Sequence, residues 1–562
     1  MATVADIIIK TLVNFGVKRI YAIPGDSLNP IIDAIRRNKD IEYVQVRHEE
    51  GGALSASFES KYSGKLSACM GTSGPGSIHL LNGLYDAKMQ HVPVIALTGQ
   101  IETDLLHHDY FQEVDLIKLF DDVSVFNARI VNPKNAHYLI WRACREAILK
   151  KGVGHIDMPV DILRENAAEE DLSYYINPVS YKPDGMEEAA KLINESKRPL
   201  IFIGGGSRNY HDEINNFAEK IGAPVVYALD GKGTFNDDDK KVMGGIGLLG
   251  TRPSVKAIEN CDLMIFLGTI FPYTSFLKKV NNIQVNNNID DLNKIMKTNY
   301  SYLCDIKYFI DNINVNEKDE KYYNELQDER EKWFASLNKM INDKRNPIRA
   351  EVLTNEISKR IEDDAIIITD TGDVTLWTNR FIRAKNKNKF YFSSWLGTMG
   401  SGIPGAIGLA FASGKKVYGI IGDGSFAMTS MELITAKKYN LPVKLIVYDN
   451  HILGMIKLEE EVMGYPEYGV DLYNPDFSKL AESVGIEGIR VNSIEELDSK
   501  LDEFFSHDGP VVLDVITETN ETPMPPKLEF KVAEKCDIYI EGKTGAKGLI
   551  FLIIKYNNYI FF

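Results

Sequence analysis

The chain has 562 residues, 44% apolar and 25% charged, a globular composition far from that of chains that stay disordered. Its 64 Lys and Arg against 79 Asp and Glu leave a net charge of −15, which repels phosphate backbones and makes nucleic-acid binding a poor expectation. At roughly 150 residues per domain, the length suggests three or four domains, each able to bury a core.

The N-terminal stretch MATVADIIIKTLVNFGVKRIYAIPGD reads as an amphipathic helix and a strand, without a signal-peptide cleavage pattern. Cys69, Cys144, Cys261, Cys304 and Cys536 are scattered and form no CxxC, which argues against disulfides and zinc and suits the reducing cytoplasm. Short β-branched runs at 44–46, 94–97, 200–203, 263–267, 365–368, 417–421 and 444–448 alternate with helical patterns. Continuous apolar runs of this length belong to strands covered on both faces, and the strand–helix rhythm predicts parallel sheets built from βαβ units.

The expected fold is therefore α/β, with three doubly wound parallel-sheet domains over 1–175, 184–343 and 346–520 and a tail over 521–562. In the first block VQVRHEEGGA (44–53) runs from a strand through Arg47-His48-Glu49-Glu50 into small residues. In the second, Gly204-Gly205-Gly206-Ser207 and Leu267-Gly268-Thr269 each follow a strand. Asn-rich 281–293 reads as a polar loop or edge. In the third block, Leu396 to Gly400 precedes a small-residue helix start, and residues 416–450 run strand, Gly422-Asp423-Gly424-Ser425, a helix over 428–439, strand, Asp449-Asn450.

The last of these carries the most information. One βαβ unit brings both loops to the carboxyl edge of one sheet, so Asp423 and Asn450, 27 positions apart, become neighbours. A carboxylate and an amide oxygen there suit a hard cation, and the N–H groups at the helix start suit a diphosphate.

This segment resembles the thiamine diphosphate signature of the family containing acetolactate synthase, pyruvate oxidase and pyruvate decarboxylase. The resemblance implies Mg²⁺ ligation by Asp423, Asn450 and the carbonyl of Ile452. Asp449 departs from the usual Asn at a position that is not a ligand. The Arg-His-Glu segment resembles the family's own, which implies that Glu49 contacts the aminopyrimidine ring and promotes proton loss from the thiazolium. By the same resemblance Met399 wedges the cofactor into its bend. Gly25, Thr72, Asn82, Thr371, Gly372, Gly397, Gly422, Gly424, Ser425, Leu453, Gly454 and Ile456 are assigned to cofactor binding. Phe111 and Gln112 are placed near the reaction centre, and Glu459 and Ile456 over the thiazolium. In this family the two halves of the site meet across subunits, which implies a homodimer or homotetramer.

Residues 72–100 closely resemble the oxidase and synthase members, and residues 450–469 look most like the pyruvate oxidases and quinone-linked pyruvate dehydrogenases. The implied activity is oxidative decarboxylation of pyruvate to acetate or acetyl phosphate with thiamine diphosphate, Mg²⁺ and FAD, the electrons passing to quinone or oxygen. Gly205 and Gly268 are the expected FAD loops. Gln284-Val285-Asn286-Asn287-Asn288 stands where the family has an acidic pair holding the adenosine end, and Asp290 or Asp305 is the expected replacement. The alternative is acetolactate synthase-type condensation. Non-oxidative decarboxylation fits less well, because His107-His108 lie too close to Phe111. A non-catalytic relative is disfavoured by the presence of Glu49, Met399, Asp423 and Asn450 together. The tail segment 542–562, basic and aromatic, is too short to span a bilayer. It suits a peripheral anchor on the inner face of the cell membrane, or a terminal element docked on the body.

Overall fold

The computed structural model describes residues 2–168, 181–294, 296–385 and 387–521. The tail assigned a membrane role lies outside the described residues. Among those residues, no helix is long and apolar enough to cross a membrane.

Three six-stranded sheets organise the chain, and all strand pairs within them are parallel. The first contains β1 (Arg19–Ala22), β2 (Glu42–Gln45), β3 (Ser67–Gly71), β4 (Val94–Gln100), β5 (Ser124–Arg129) and β6 (Val153–Pro159), in the order β2-β1-β3-β4-β6-β5. The central sheet contains β7 (Pro199–Ile203), β8 (Val225–Tyr227), β9 (Val242–Gly245), β10 (Leu263–Leu267), β11 (Asn281–Asn286) and β12 (Tyr300–Leu303), in the order β12-β11-β10-β7-β8-β9. The third contains β13 (Ile366–Thr369), β14 (Lys389–Tyr391), β15 (Val417–Gly422), β16 (Val443–Asp449), β17 (Glu487–Val491) and β18 (Val511–Ile516), in the order β14-β13-β15-β16-β18-β17. Counted within each domain, the first and third sheets share one strand order. The central sheet instead has the 3-2-1-4-5-6 order of dinucleotide-binding folds. All seven residues of β4, β6 and β16 are buried, as helices on both faces require.

Two expectations fail locally. Asn281–Asn286 is no loop or edge: it is β11, paired on both sides, with five of its six residues buried. Its buried side-chain amides survive there because each makes at least one hydrogen bond, although Asn282 Oδ1 accepts none. Gln284 donates to the Asp291 carbonyl at 3.0 Å and accepts from the Asn293 N–H at 2.9 Å, and Asn282 donates to carbonyls of Val280 and Lys297. The helix expected over 428–439 is interrupted by a tighter turn, Ser430–Glu432, between Asp423–Thr429 and Leu433–Lys438. Buried Glu432 turns inward there, accepting from the backbone N–H groups of Arg47 and His48 at 2.9 Å each and from Thr435 Oγ1.

The first and third domains meet helix to helix. Glu49–Ser63 lies against Gly402–Ser413 at backbone distance. A Cβ at Gly408 would stand 2.1 Å from the Ser55 carbonyl oxygen, and Ser55 Oγ donates to the Pro404 carbonyl at 2.8 Å. Only glycine permits this approach.

A buried histidine locks the first sheet. His155 on β6 pairs with Thr98 Oγ1 of β4 and Asn127 Oδ1 of β5, and stacks on Phe120 at 3.9 Å. Burial, with the nearby Arg129 charge, pushes its ring down to about 3. In the unfolded chain the ring titrates near 6.5, so between these values only the unfolded state takes up the proton. The stabilisation is complete above pH 6.5 and is lost toward pH 3, by about 1.4 kcal/mol per pH unit. The melting temperature of His155→Gln should therefore fall less steeply from pH 6.5 to 4.5 than that of the natural chain; parallel profiles would refute this.

Candidate active site

β15 and β16 pair in parallel register from Val417↔Val443 to Gly422↔Tyr448, so the residues that follow them leave the sheet edge side by side. Asp423 begins its helix 2% exposed. Its Oδ1 accepts from the Gly424 N–H at 2.7 Å, and its Oδ2 accepts from the His451 N–H at 2.7 Å and Asn474 Nδ2 at 2.8 Å. Burial pushes the carboxyl up to about 6 despite these donors. Asn450 Oδ1 accepts from the Ile452 N–H at 3.1 Å.

Beside them opens a cavity of about 120 Å³. Of the expected cofactor residues, Thr371, Gly372, Met399, Gly422, Asp423, Gly424, Ser425, Asn450, Ile452, Leu453, Gly454 and Ile456 line it. Met399 projects toward the Asp423 loop, its Cε 3.4 Å from where a Cβ of Gly424 would stand. Gly397 does not line the cavity. Its φ of 65° and its N–H to the Ser393 carbonyl close the turn that presents Thr398 and Met399. The Asp423 carboxylate, the Asn450 amide oxygen and the Ile452 carbonyl are hard oxygen donors at one loop pair, the donor set Mg²⁺ takes while keeping positions for phosphate and water.

Sequence reasoning missed two groups here, Asn474 and Asp373. Asn474 bridges Asp423 and Asp449 through one nitrogen, donating to Asp449 Oδ1 at 2.7 Å. Asp449 is fully buried and its Oδ2 accepts no hydrogen bond; Arg490 Nη2 lies 3.9 Å away. Asp373 lines the cavity, where burial and then the Asp423 charge push it up to about 7. A Cβ at Gly454 would lie 1.9 Å from Asp373 Oδ2, so the glycine leaves room for that carboxylate. Neither Asn474 nor Asp373 has a local signal, because each depends on a loop brought in by the fold.

The first domain gathers a second set of groups. Glu49 opens its helix behind His48 and is 7% exposed, with Oε2 3.0 Å from His79 Nδ1. Gly25 faces Thr72 so closely that a Cβ would lie 2.3 Å from its Oγ1. Thr72 shares a 2.8 Å hydrogen bond with Ser27, whose Oγ also receives the Ser73 N–H. Ser73 Oγ in turn reaches Gln112 Oε1 at 3.4 Å. Phe111 is 74% exposed. Asn82 donates to Glu50 Oε1 at 2.6 Å and to Thr398 Oγ1 at 2.9 Å, tying the first domain to the third. None of Gly25, Glu49, Thr72, Asn82, Phe111 and Gln112 lines the Asp423 cavity of its own chain, and neither does Glu459, which is exposed on the helix Gly454–Met463.

A larger cavity, about 700 Å³, lies at the carboxyl edge of the central sheet. β7 and β10 are neighbours from which the chain departs in opposite directions, the switch point where open α/β sheets bind ligands. The loops after these strands touch: a Cβ at Gly206 would stand 2.9 Å from the Gly268 carbonyl oxygen. Gly205 and Gly268 both line the cavity, together with Asn286, Asn287 and Asn288 after β11. Lys61, His91 and Lys151 of the first domain and Lys389, Tyr391 and Trp395 of the third contribute to its walls. Of the two expected acidic replacements, neither Asp290 nor Asp305 is among its lining residues.

Asn474 keeps the Asp423 carboxylate in one rotamer, so Asn474→Ala should weaken Mg²⁺ binding, measured by calorimetry with thiamine diphosphate present, by about 10- to 100-fold. An unchanged affinity would remove Asn474 from that role.

Comparison with known proteins places these observations. Residues 2–119 match the N-terminal TPP binding domain of thiamine pyrophosphate enzymes, residues 186–313 their central domain, and residues 370–515 their C-terminal TPP binding domain. The chain is 34% identical over 550 residues to the "Putative thiamine pyrophosphate-containing protein YdaP" of Bacillus subtilis (strain 168), covering 96% of this chain and 95% of that protein. It is 32% identical over 552 residues to the pyruvate oxidase of Lactiplantibacillus plantarum, covering 94% and 91%. It is 29% identical over 558 residues to acetolactate synthase 1, chloroplastic, of Zea mays, covering 93% and 86%. With all three domains matched in order, the chain belongs to the thiamine pyrophosphate enzyme family.

Proposed function

We propose that the protein is a cytoplasmic oxidoreductase that decarboxylates pyruvate and passes the electrons through FAD to quinone or oxygen. The carrying observation is the 700 Å³ cavity at the switch point of the central sheet, with Gly205 and Gly268 on touching loops. Its strand order and size suit a dinucleotide. Thiamine diphosphate, when bound, supplies a carbon nucleophile and an electron sink. The chain's own residues hold and orient it. Asp423, Asn450 and the Ile452 carbonyl would hold Mg²⁺ on the diphosphate, Met399 shapes the cavity wall, and the buried Glu49 carboxylate would face the aminopyrimidine ring.

The reading divides each site between two chains. Within one chain the Asp423 cavity is lined by third-domain residues and the adjoining Glu521, while Glu49 lies elsewhere. Near both, apolar side chains stand exposed: Phe111, Met428, Met431 and Ile456. Glu459, exposed on the same helix as Ile456, would reach substrate protons at that shared interface. Co-expressing Glu49→Gln and Asp423→Asn chains tests this division. Random pairing places an intact site in half of the dimers, so about one quarter of the sites should recover, whereas each variant alone stays inactive. No recovery would place both groups in one chain.

Acetolactate formation is the second reading, favoured by full-length similarity to acetolactate synthases. Purified protein given pyruvate under anaerobic conditions separates the two. Bleaching of a flavin spectrum, with stoichiometric reduction of an added dye, supports the oxidase. Acetolactate accumulating without dye reduction supports the synthase and overturns the oxidase.

A further inference from the structure

The central cavity lacks the acidic pair expected at its adenosine end, yet it contains one buried acid that sequence reading passed over. β11 ends at Asn286, and the loop is folded by its own amides: Asn286 Oδ1 accepts from the Asn288 N–H at 3.0 Å, and Asn288 Oδ1 accepts from the Asp290 N–H at 3.2 Å. These bonds start the tight turn Ile289–Asp291, which returns Asp291 to the cavity wall. Gln284 fixes its backbone by donating to the Asp291 carbonyl.

Asp291 is 4% exposed. Its Oδ2 accepts from Asn288 Nδ2 at 3.2 Å; its Oδ1 is buried and accepts no hydrogen bond, with His91 Nε2 3.4 Å away. A buried carboxylate oxygen without a donor is costly, and its position on a cavity wall means that a ligand hydroxyl can supply one. The competing acids are otherwise placed. Asp290 is exposed, and Asp305 caps the helix Ile306–Asn312 and binds the Tyr210 hydroxyl. Lys151 of the first domain donates to Asn287 Oδ1 at 2.7 Å, so the loop is braced against that domain.

We propose that Asp291 accepts hydrogen bonds from the ribose hydroxyls of an adenine dinucleotide in this cavity, taking over the role of the missing acidic pair. The proposal rests on the nucleotide reading above and adds the residue that selects an unmodified ribose. Asn286, Asn287 and Asn288 carry no charge, and of the loop's two carboxylates, Asp290 and Asp291, only Asp291 lines the cavity. That carboxylate accepts from free hydroxyls and repels a phosphate esterified to them, so the cavity should discriminate against phosphorylated ribose. Because His91 and Lys151 approach the same loop from the first domain, ligand at this end would also brace the two domains together.

The test uses the full chain depleted of flavin. Binding is followed by fluorescence quenching with FAD and FMN, and by competition with AMP and adenosine 2′,5′-bisphosphate. Expected are FAD binding by the natural chain, at least ten-fold weaker FAD binding by Asp291→Asn with FMN affinity unchanged, and unchanged FAD binding by Asp290→Asn. FAD bound equally well by Asp291→Asn overturns the Asp291 assignment and leaves the nucleotide reading standing. No FAD binding by the natural chain overturns that reading, and the proposal falls with it. A second measurement does not depend on the variant folding: in the natural chain, the 2′-phosphate should weaken AMP competition at least ten-fold. Equal or stronger competition by the bisphosphate would overturn the proposal.

Discussion

The parallel pairing of β15 with β16 is the constraint on which the site depends. Six consecutive residues of β15 face six of β16, ending at Gly422 and Tyr448. Both strands are covered on both faces, so a one-residue slip would turn every side chain to the opposite covered face and misfit the packing there. That register brings Asp423 and Asn450, remote in sequence, to one sheet edge. The remaining features act on this pair: Asn474 restrains the Asp423 carboxylate, Met399 borders the same loop, and Gly454 leaves room for Asp373. A donor set held this tightly before a cation arrives pays little ordering entropy on binding.

The same sheet topology occurs in the first domain, and there too the functional groups sit beyond the carboxyl ends of strands. Glu49 follows β2, Thr72 follows β3, and Gln112 lies in the segment after β4. The two domains are joined within a chain by a helix contact close enough to require Gly408, and by Glu432, which accepts two backbone N–H groups beside Glu49. These contacts fix the orientation of Glu49 in its own chain while leaving it outside that chain's Asp423 cavity. A rigid joint of this kind presents the first-domain groups as one preformed surface and the third-domain cavity as another.

The central domain differs in strand order and in how its cavity is enclosed. Its own loops supply only part of the wall; the first and third domains supply the rest. A ligand held there would contact all three domains, so the contents of this cavity and the integrity of the assembled chain are linked by mass action. The polar character of β11 belongs to the same arrangement, because its amides shape the loop that turns Asp291 inward.

Much of this was legible in the residues. Continuous β-branched runs marked the strands, since strands covered on both faces are mostly apolar, and Gly-Asp-Gly-Ser followed by Asp-Asn after a helix and a strand located the loop pair that carries Asp423 and Asn450. Local order was misread where tertiary partners compensated for composition: Asn281–Asn286 became an interior strand because its amides found partners, and the expected 428–439 helix broke because Glu432 was needed by another domain. Asn474, Asp373 and Asp291 left no local signal, since their roles come from cavity walls formed by distant loops. Sequence by itself determined the α/β class, the parallel sheets and the juxtaposition of Asp423 and Asn450 at one sheet edge, because periodicity and βαβ connectivity are local properties. Tertiary structure alone decided which acid faces the central cavity, which amide restrains the Asp423 carboxylate, and that Glu49 stands apart from the Asp423 cavity of its own chain, because those are distances set by how separately folded sheets pack.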